Sequence, residues 1–231
     1  MRIGFFAPGD YQDTNIRVTG PCQGLAYIAS YLKEQVGVEE IFLEVDPQRI
    51  IEKKPDMVGI SAFSVNYGGA VSGAREIKKK LDIPIVIGGP HISALPMNLD
   101  PSMDIGVMGE GEIAMAQLVQ MYQKDQLQPR YLKSLSNLVY RNEDGQLTQS
   151  EKQERIQELD TLPPPERSLM QAYWSDIGEI MKWEQGLCTS RGCPFTCGFC
   201  MYSQTSNLVR YHSIERVLAD MTDMLRQYPE Q

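Results

Sequence analysis

The sequence predicts an α/β protein: a doubly wound parallel sheet of five strands, followed by the first strand–loop–helix unit of an incomplete β/α barrel. Three observations predict it. Short apolar runs alternate five times with segments of helical period between Arg2 and Tyr122. Glycine, proline or serine follows those runs where a parallel sheet presents its carboxyl-edge loops. Beyond a proline-stiffened connector at residues 159–167, one more strand and helix flank a loop with three cysteines.

Residues 2–7, Arg-Ile-Gly-Phe-Phe-Ala, form a short strand stopped by Pro8-Gly9-Asp10, and a polar loop runs on to Pro21. From Gly24 onward Leu25, Ile28, Ala29, Leu32 and Val36 recur at helical steps of three and four. Residues 40–45 give the second strand, ended by Asp46-Pro47 and an amphipathic turn through Ile50 and Ile51. The third strand, 57–62, follows Lys54-Pro55-Asp56. A helix through Ala70, Ala74, Ile77 and Leu81 leads to the fourth strand, 84–87, which Gly88-Gly89-Pro90-His91 breaks. Residues 103–108 run into Gly109-Glu110-Gly111-Glu112, and a helix from Ala114 to Tyr122 closes the unit.

This order requires right-handed crossovers with helices on both faces, the flavodoxin-like or Rossmann-like arrangement, and defines a first domain over residues 1–125. Ligands of such a sheet lie beyond the carboxyl ends of its strands. The loops there hold Pro8-Gly9, Ser61 to Ser64, Gly88-Gly89, Gly109 and Gly111, which let a backbone approach a large ligand closely. A dinucleotide fold would carry Gly-x-Gly-x-x-Gly after the first strand, but the chain reads Ala7-Pro-Gly-Asp-Tyr-Gln. A phosphorylatable receiver would end its third strand on Asp, where Ser61 stands.

Residues 126–170 form a hairpin and linker. The hairpin turns at Asn142-Glu-Asp-Gly145, and Leu159-Asp-Thr-Leu-Pro-Pro-Pro-Glu-Arg167 is extended. The charged stretch 124–160 reads as solvent-facing, with no chemistry assigned. Residues 171–231 open the second domain: a strand at 179–187 feeds the cysteine loop, and Ser213 caps a helix. Ile214, Val217, Leu218, Met221, Met224, Leu225 and Tyr228 keep helical spacing along it. His212 receives no role.

A formal charge of -8, from 22 basic and 30 acidic residues, argues against nucleic acid or an anionic membrane as partner. No apolar run approaches the ~18 residues of a membrane span, and the N-terminus opens directly into a strand. Five cysteines without a secretory leader predict free thiols and a cytoplasmic location.

Three of those thiols define the chemistry. Cys193, Cys197 and Cys200 stand at spacings of three and two intervening residues, with the aromatic Phe199 before the last. Thiolates on one tight loop can converge on a single inorganic cluster, and three of them leave one metal position open, as catalysis requires. Cys188, five residues upstream, leaves a zinc knot or a closed four-cysteine cluster as the alternative; it reads better as the end of the strand delivering the loop.

The C-x3-C-x2-C spacing resembles the signature of radical S-adenosylmethionine (SAM) enzymes. The longer Thr-Ser-Arg-Gly-Cys-Pro-Phe-Thr-Cys-Gly-Phe-Cys, residues 189–200, resembles the branch carrying a cobalamin-binding domain ahead of the barrel. Residues 21–32, Gly88-Gly-Pro-His91 and Gly109-Glu-Gly-Glu112 are similar to that cobalamin domain, and Leu-Asp-x-Leu-Pro-x-Pro resembles its interdomain bridge. The resemblance implies that Cys193, Cys197 and Cys200 hold a [4Fe–4S] cluster, that SAM chelates the open iron, and that Phe199 lies against its adenine. Reductive cleavage of SAM would yield a 5′-deoxyadenosyl radical, coupled first to methyl transfer onto an unactivated carbon of a small-molecule substrate. It also implies cobalamin contacts at Ser61, Phe63, Gly88, Gly89, His91, Gly109 and Gly111, and an electron donor of flavodoxin or ferredoxin type. Many cobalamin domains place a histidine under the cobalt from Asp-x-His-x-x-Gly after strand one. The loop from Pro8 to Pro21 has no histidine, so His91 reads as a loop histidine bonded to backbone rather than a cobalt ligand. The chain ends too soon after Cys200 to close a barrel of roughly 250 residues. It is therefore expected to be incomplete, inactive alone, and completed in cis or by a second polypeptide. A non-catalytic cobalamin carrier or sensor and a zinc-knotted interaction protein are the rivals.

Anaerobic reconstitution should give about four irons per chain, the content of a cubane held by three thiolates. Cys193→Ala, Cys197→Ala and Cys200→Ala should each abolish iron uptake, and Cys188→Ala should retain it. Stoichiometric zinc without iron uptake would sink the cluster assignment.

Overall fold

A computed structural model describes residues 1–8, 23–151, 155–169, 186–200 and 208–227. The apolar runs fold as β1 (Arg2–Phe6), β2 (Glu40–Glu44), β3 (Met57–Ser61), β4 (Ile85–Gly88) and β5 (Ile105–Val107), every neighbouring pair parallel. Ile3 lies beside Ile41 and Met57, and Ile60 beside Ile87. Continuous apolar strands suit a sheet covered on both faces. On one face α1 (Gln23–Val36) and α5 (Glu112–Gln123) bury Leu25, Ala29, Leu32, Met115 and Leu118 against Ile3, Phe5 and Val107. On the other, α2 (Pro47–Lys53), α3 (Tyr67–Lys80) and α4 (Pro90–Ala94) set Ile50, Ala74, Ile77 and Ile92 against Val58, Ile60 and Ile87. Asp46 starts α2 by accepting the Gln48 amide at 2.9 Å, and Pro47 fits the first turn because that turn needs no N–H there.

Among the described residues the sheet has seven strands, not five. After the short α6 (Pro129–Leu132), β6 (Leu138–Arg141) and β7 (Leu147–Gln149) form the expected hairpin. It continues the sheet in the order β2-β1-β3-β4-β5-β6-β7 instead of standing apart as a linker. β6 runs antiparallel to β5 with Gly106 opposite Val139. Gly106 makes that join possible: a side chain there would strike Val139 and come within 2.9 Å of Ile92. Leu138 and Tyr140 then enter the core of one face and Val139 that of the other, as strand alternation dictates. The charged stretch 124–160 is thus anchored by buried Leu132, Leu138, Val139, Tyr140 and Leu159, contrary to the solvent-facing expectation.

The expected strand at 179–187 lies largely outside the described residues. What the structure shows beside the cysteines is a two-stranded antiparallel ribbon, β8 (Ser190–Arg191) and β9 (Arg210–Tyr211), enclosing the cysteine loop. Helix α7 (Ile214–Gln227) follows, and Ser213 caps it by accepting the Arg216 amide at 3.1 Å. Among the described residues no helix is long and apolar enough to cross a membrane.

Replacing Gly106 by Ala should overpack the β4–β5–β6 junction and cost about 1–3 kcal/mol. Urea denaturation should show a lower midpoint with an unchanged m value.

Candidate functional site

At the carboxyl edge of β3, β4 and β5 the sheet opens into a cleft of about 500 Å³. Ser61, Gly88, Gly89, Gly109 and Gly111 line it, so five of the residues singled out in the sequence come together there. Gly89 has φ of +94°, and a side chain would meet the Ala62 carbonyl oxygen at 2.9 Å; only glycine suits both constraints. A side chain at Gly88 would meet nothing closer than Val107 at 3.7 Å, leaving that stretch of backbone open to a ligand. Ser93 joins the two glycine loops. Its hydroxyl donates to the Gly89 carbonyl at 2.8 Å and accepts the Gly109 amide at 2.9 Å.

Across the cleft stand Tyr27 of α1, Arg191 and Arg210 of the ribbon, and Cys188 and Cys193 beside it. The cross-strand pairing of Arg191 with Arg210 brings two guanidinium groups to one place, and the Glu110 and Glu112 carboxylates meet them. Arg210 makes two bonds to Glu110, at 2.6 and 3.0 Å. Arg191 lies 2.8 Å from Glu112 and 3.6 Å from Glu110, with its guanidinium carbon 4.8 Å from the Tyr27 ring centre. Burial by itself would raise the Glu110 carboxyl, but the bond and charge of Arg210, then Arg191 and the Ile156 amide, hold it below its ordinary value. Burial opposes the charge on Arg191, yet Glu112 first and Glu110 next keep it more firmly protonated than usual. Tyr27 is pushed up to about 12, chiefly by burial and then by Cys188 and Asp220.

A second junction ties the proline-rich connector to α7. Asp160 lies 2.8 Å from His212 Nδ1 and accepts the Ser213 amide at 3.2 Å; Ser213 and then His212 draw its carboxyl below the ordinary value. Arg216 donates to the Leu162 carbonyl at 2.8 Å and pairs with Asp220 at 3.0 Å. The sequence assigned nothing to Asp160 or His212. Arg191, Arg210 and Ser93 also went unnoticed as site residues, although an acidic pair on a glycine loop at a sheet edge implies counter-charges somewhere.

Other singled-out residues stand elsewhere. Phe63 is partly exposed and does not line the cleft. His91 is buried outside the lining, stacked on Tyr67 at 3.7 Å, with Nδ1 3.0 Å from Ser64 Oγ and Nε2 3.0 Å from Asn98 Nδ2. Its ring therefore pairs with side chains rather than backbone, and burial lowers its pKa, favouring the neutral form. Cys22 and the loop at 9–22 lie outside the described residues.

Cys193, Cys197 and Cys200 lie on one loop, none of them in a disulfide, and the loop is turned by a Cys200 amide bond to the Cys197 carbonyl at 3.0 Å. Cys193 lines the cleft, Cys197 is exposed, and Phe199 is 95% exposed and stands outside the cleft lining. Among those residues no three Cys, His, Asp or Glu side chains are gathered as for a metal ion. In donor chemistry the loop fits an iron–sulfur cluster, with three unoxidised thiols on a short, accessible turn. The open face of Gly88 and the glycine-lined floor fit a large planar cofactor.

A parallel sheet with a glycine-floored cleft at its carboxyl edge is the frame of a ligand-binding domain, and residues 14–119 match the B12-binding domain family. Over 230 residues the chain is 34% identical to an uncharacterized methyltransferase of Pyrococcus horikoshii, covering 92% of this chain and 48% of that protein. It is 28% identical to the cobalamin-dependent radical SAM methyltransferase TokK of Streptomyces tokunonensis, over 78% of this chain and 27% of that one. The cobalamin-dependent SAM radical enzyme OxsB with aqua-cobalamin bound shares the fold, with a TM-score of 0.76 at 20% identity, over 97% of this chain and 32% of that one. The chain thus spans less than half the length of these relatives. Residues 14–119 thus carry a B12-binding domain, and the relatives and fold neighbours of the chain include cobalamin-dependent radical SAM enzymes.

Glu110→Gln should destabilise the protein by about 3 kcal/mol, the lower end for breaking a buried pair, since Arg210 keeps its charge with a weaker partner. Because the Glu110 carboxyl is held below its ordinary 4.5, its contribution is complete above that pH and fades as pH falls through the lowered folded value. Urea melts of the two proteins should therefore differ most near neutrality and converge in acid.

Proposed function

We propose that this chain carries the cobalamin site and the cluster loop of a cobalamin-dependent radical SAM enzyme, a methyltransferase in the first instance. One observation carries the reading: a single cleft is lined on one side by the glycine floor of the B12-binding domain and on the other by Cys193. Cobalamin would lie over Gly88, Gly89, Gly109 and Gly111, and Cys193, Cys197 and Cys200 would hold a [4Fe–4S] cluster facing it. When bound, the two groups supply reductive cleavage of SAM and a methyl-carrying cobalt for an unactivated carbon. The chain's own residues arrange the meeting. The glycines admit the cofactor edge to the backbone, Tyr27 and the paired arginines wall the cleft, and the Arg191 contacts fix where the cysteine loop begins. His91, already paired on both ring nitrogens, is not a cobalt ligand in this reading.

The test is to load the anaerobically purified chain with hydroxocobalamin and iron sulfide, pass it through gel filtration, and record bound cofactor by absorbance. Cobalamin and iron should both be retained. His91→Ala should keep cobalamin with an unchanged cobalt spectrum while lowering thermal stability. Retention of cobalamin without iron would favour a carrier or sensor, zinc alone would favour an interaction module, and a histidine-nitrogen signal lost in His91→Ala would overturn the ligation assignment.

A further inference from the structure

The tetrapeptide Gly109-Glu110-Gly111-Glu112 faces two ways. Its glycines lie on the cleft floor, and its carboxylates grip the ribbon from which the cysteine loop springs. We propose that Arg191 is a positioning residue through which cobalamin binding in the cleft and cluster assembly on the cysteine loop favour each other. This rests on the functional reading above.

Arg191 is held from three directions: by Glu112 at 2.8 Å, by Glu110 at 3.6 Å and by the Tyr27 ring. The Glu112 side chain is only 3% exposed, so the pair is shielded from competing water. A long side chain fixed so firmly has given up rotamer freedom that a surface arginine keeps. Only one residue separates Arg191 from Cys193. That residue, Gly192, has φ of +103°, and any side chain there would strike the Leu208 carbonyl oxygen, so the position is reserved for glycine. With so short a connection, holding the guanidinium restricts where Cys193 enters the cleft.

The same constraint reaches the cofactor floor. The Gly109 amide is tied through Ser93 to Gly89, so a ligand that orders one glycine loop orders the other, and Glu110 and Glu112 with them. Order imposed by the first cofactor need not be imposed again by the second, which is the physical basis of positive coupling without a large movement. Linkage makes the effect reciprocal.

The experiment titrates the full chain with hydroxocobalamin before and after cluster reconstitution, following the cobalamin absorbance. Affinity should rise about tenfold with the cluster present, within the usual range for coupled sites. In Arg191→Gln the ratio of the two affinities should fall to near one. Arg191→Lys, which keeps the charge and loses the planar fork, should give an intermediate ratio. The paramagnetic resonance spectrum of the reduced cluster should shift when cobalamin is added to the unsubstituted chain and stay unchanged in Arg191→Gln. Equal affinities in the unsubstituted chain, or a tenfold ratio persisting in Arg191→Gln, would overturn the coupling. The unsubstituted measurement decides even if that variant misfolds, and Glu112→Gln breaks the same contact independently. A chain that takes up neither cofactor overturns the functional reading and the coupling with it; uptake of both with equal affinity overturns the coupling alone.

Discussion

The arrangement of this molecule depends on one buried charge network, Glu110 and Glu112 against Arg191 and Arg210. The Arg210 side chain is 5% exposed and that of Glu112 3%, so each charge has left most of its water behind. Such pairs add little net stability, because desolvation offsets much of the attraction, but a charge left without its partner is costly. The network therefore acts mainly by excluding alternatives. Any placement of the ribbon that misaligns the four groups strands a buried ion, so the ribbon sits where the cysteine loop begins at the mouth of the cleft.

The sheet beneath supplies the rigid side of that joint. Parallel strands ending together put three loops at one edge, and glycines in those loops leave backbone where a side chain would otherwise fill the space. The β6–β7 hairpin covers the edge strand β5 that would otherwise offer unpaired amides. It also starts the path by which the chain returns over α1, where Tyr27 packs with Leu159 and Leu162 of the connector. The Asp160–His212 pair then fixes the start of α7, so cleft, connector and ribbon are joined at two separate places.

Helix α7 has a different character. Ile214, Leu218, Met221 and Leu225 form an exposed apolar stripe at helical spacing, while Asp220, on the opposite side, is buried and paired with Arg216. The sequence pattern made the helix legible, but it could not say which side would meet the rest of the chain. The polar side does, because Arg216 pairs with Asp220 and donates to the connector carbonyl of Leu162 there.

By itself the sequence determined what short-range physics controls. Apolar runs and helical periods set the first five strands and the helices between them, because burial on two faces imposes those patterns over a few residues. Glycine at positions 88, 89, 109 and 111 pointed to the cleft at the carboxyl edge, and the cysteine spacing put three thiols on one loop, since neighbours along one loop need no partner from elsewhere. Only the tertiary structure decided that the hairpin extends the sheet, that His91 turns away from the cleft toward Ser64 and Asn98, and that Glu110 meets Arg210. Those last two residues lie 100 positions apart. Spacing in the chain carries no trace of such a pair, because a charge selects its partner by what the folded backbone brings near it once water has been excluded.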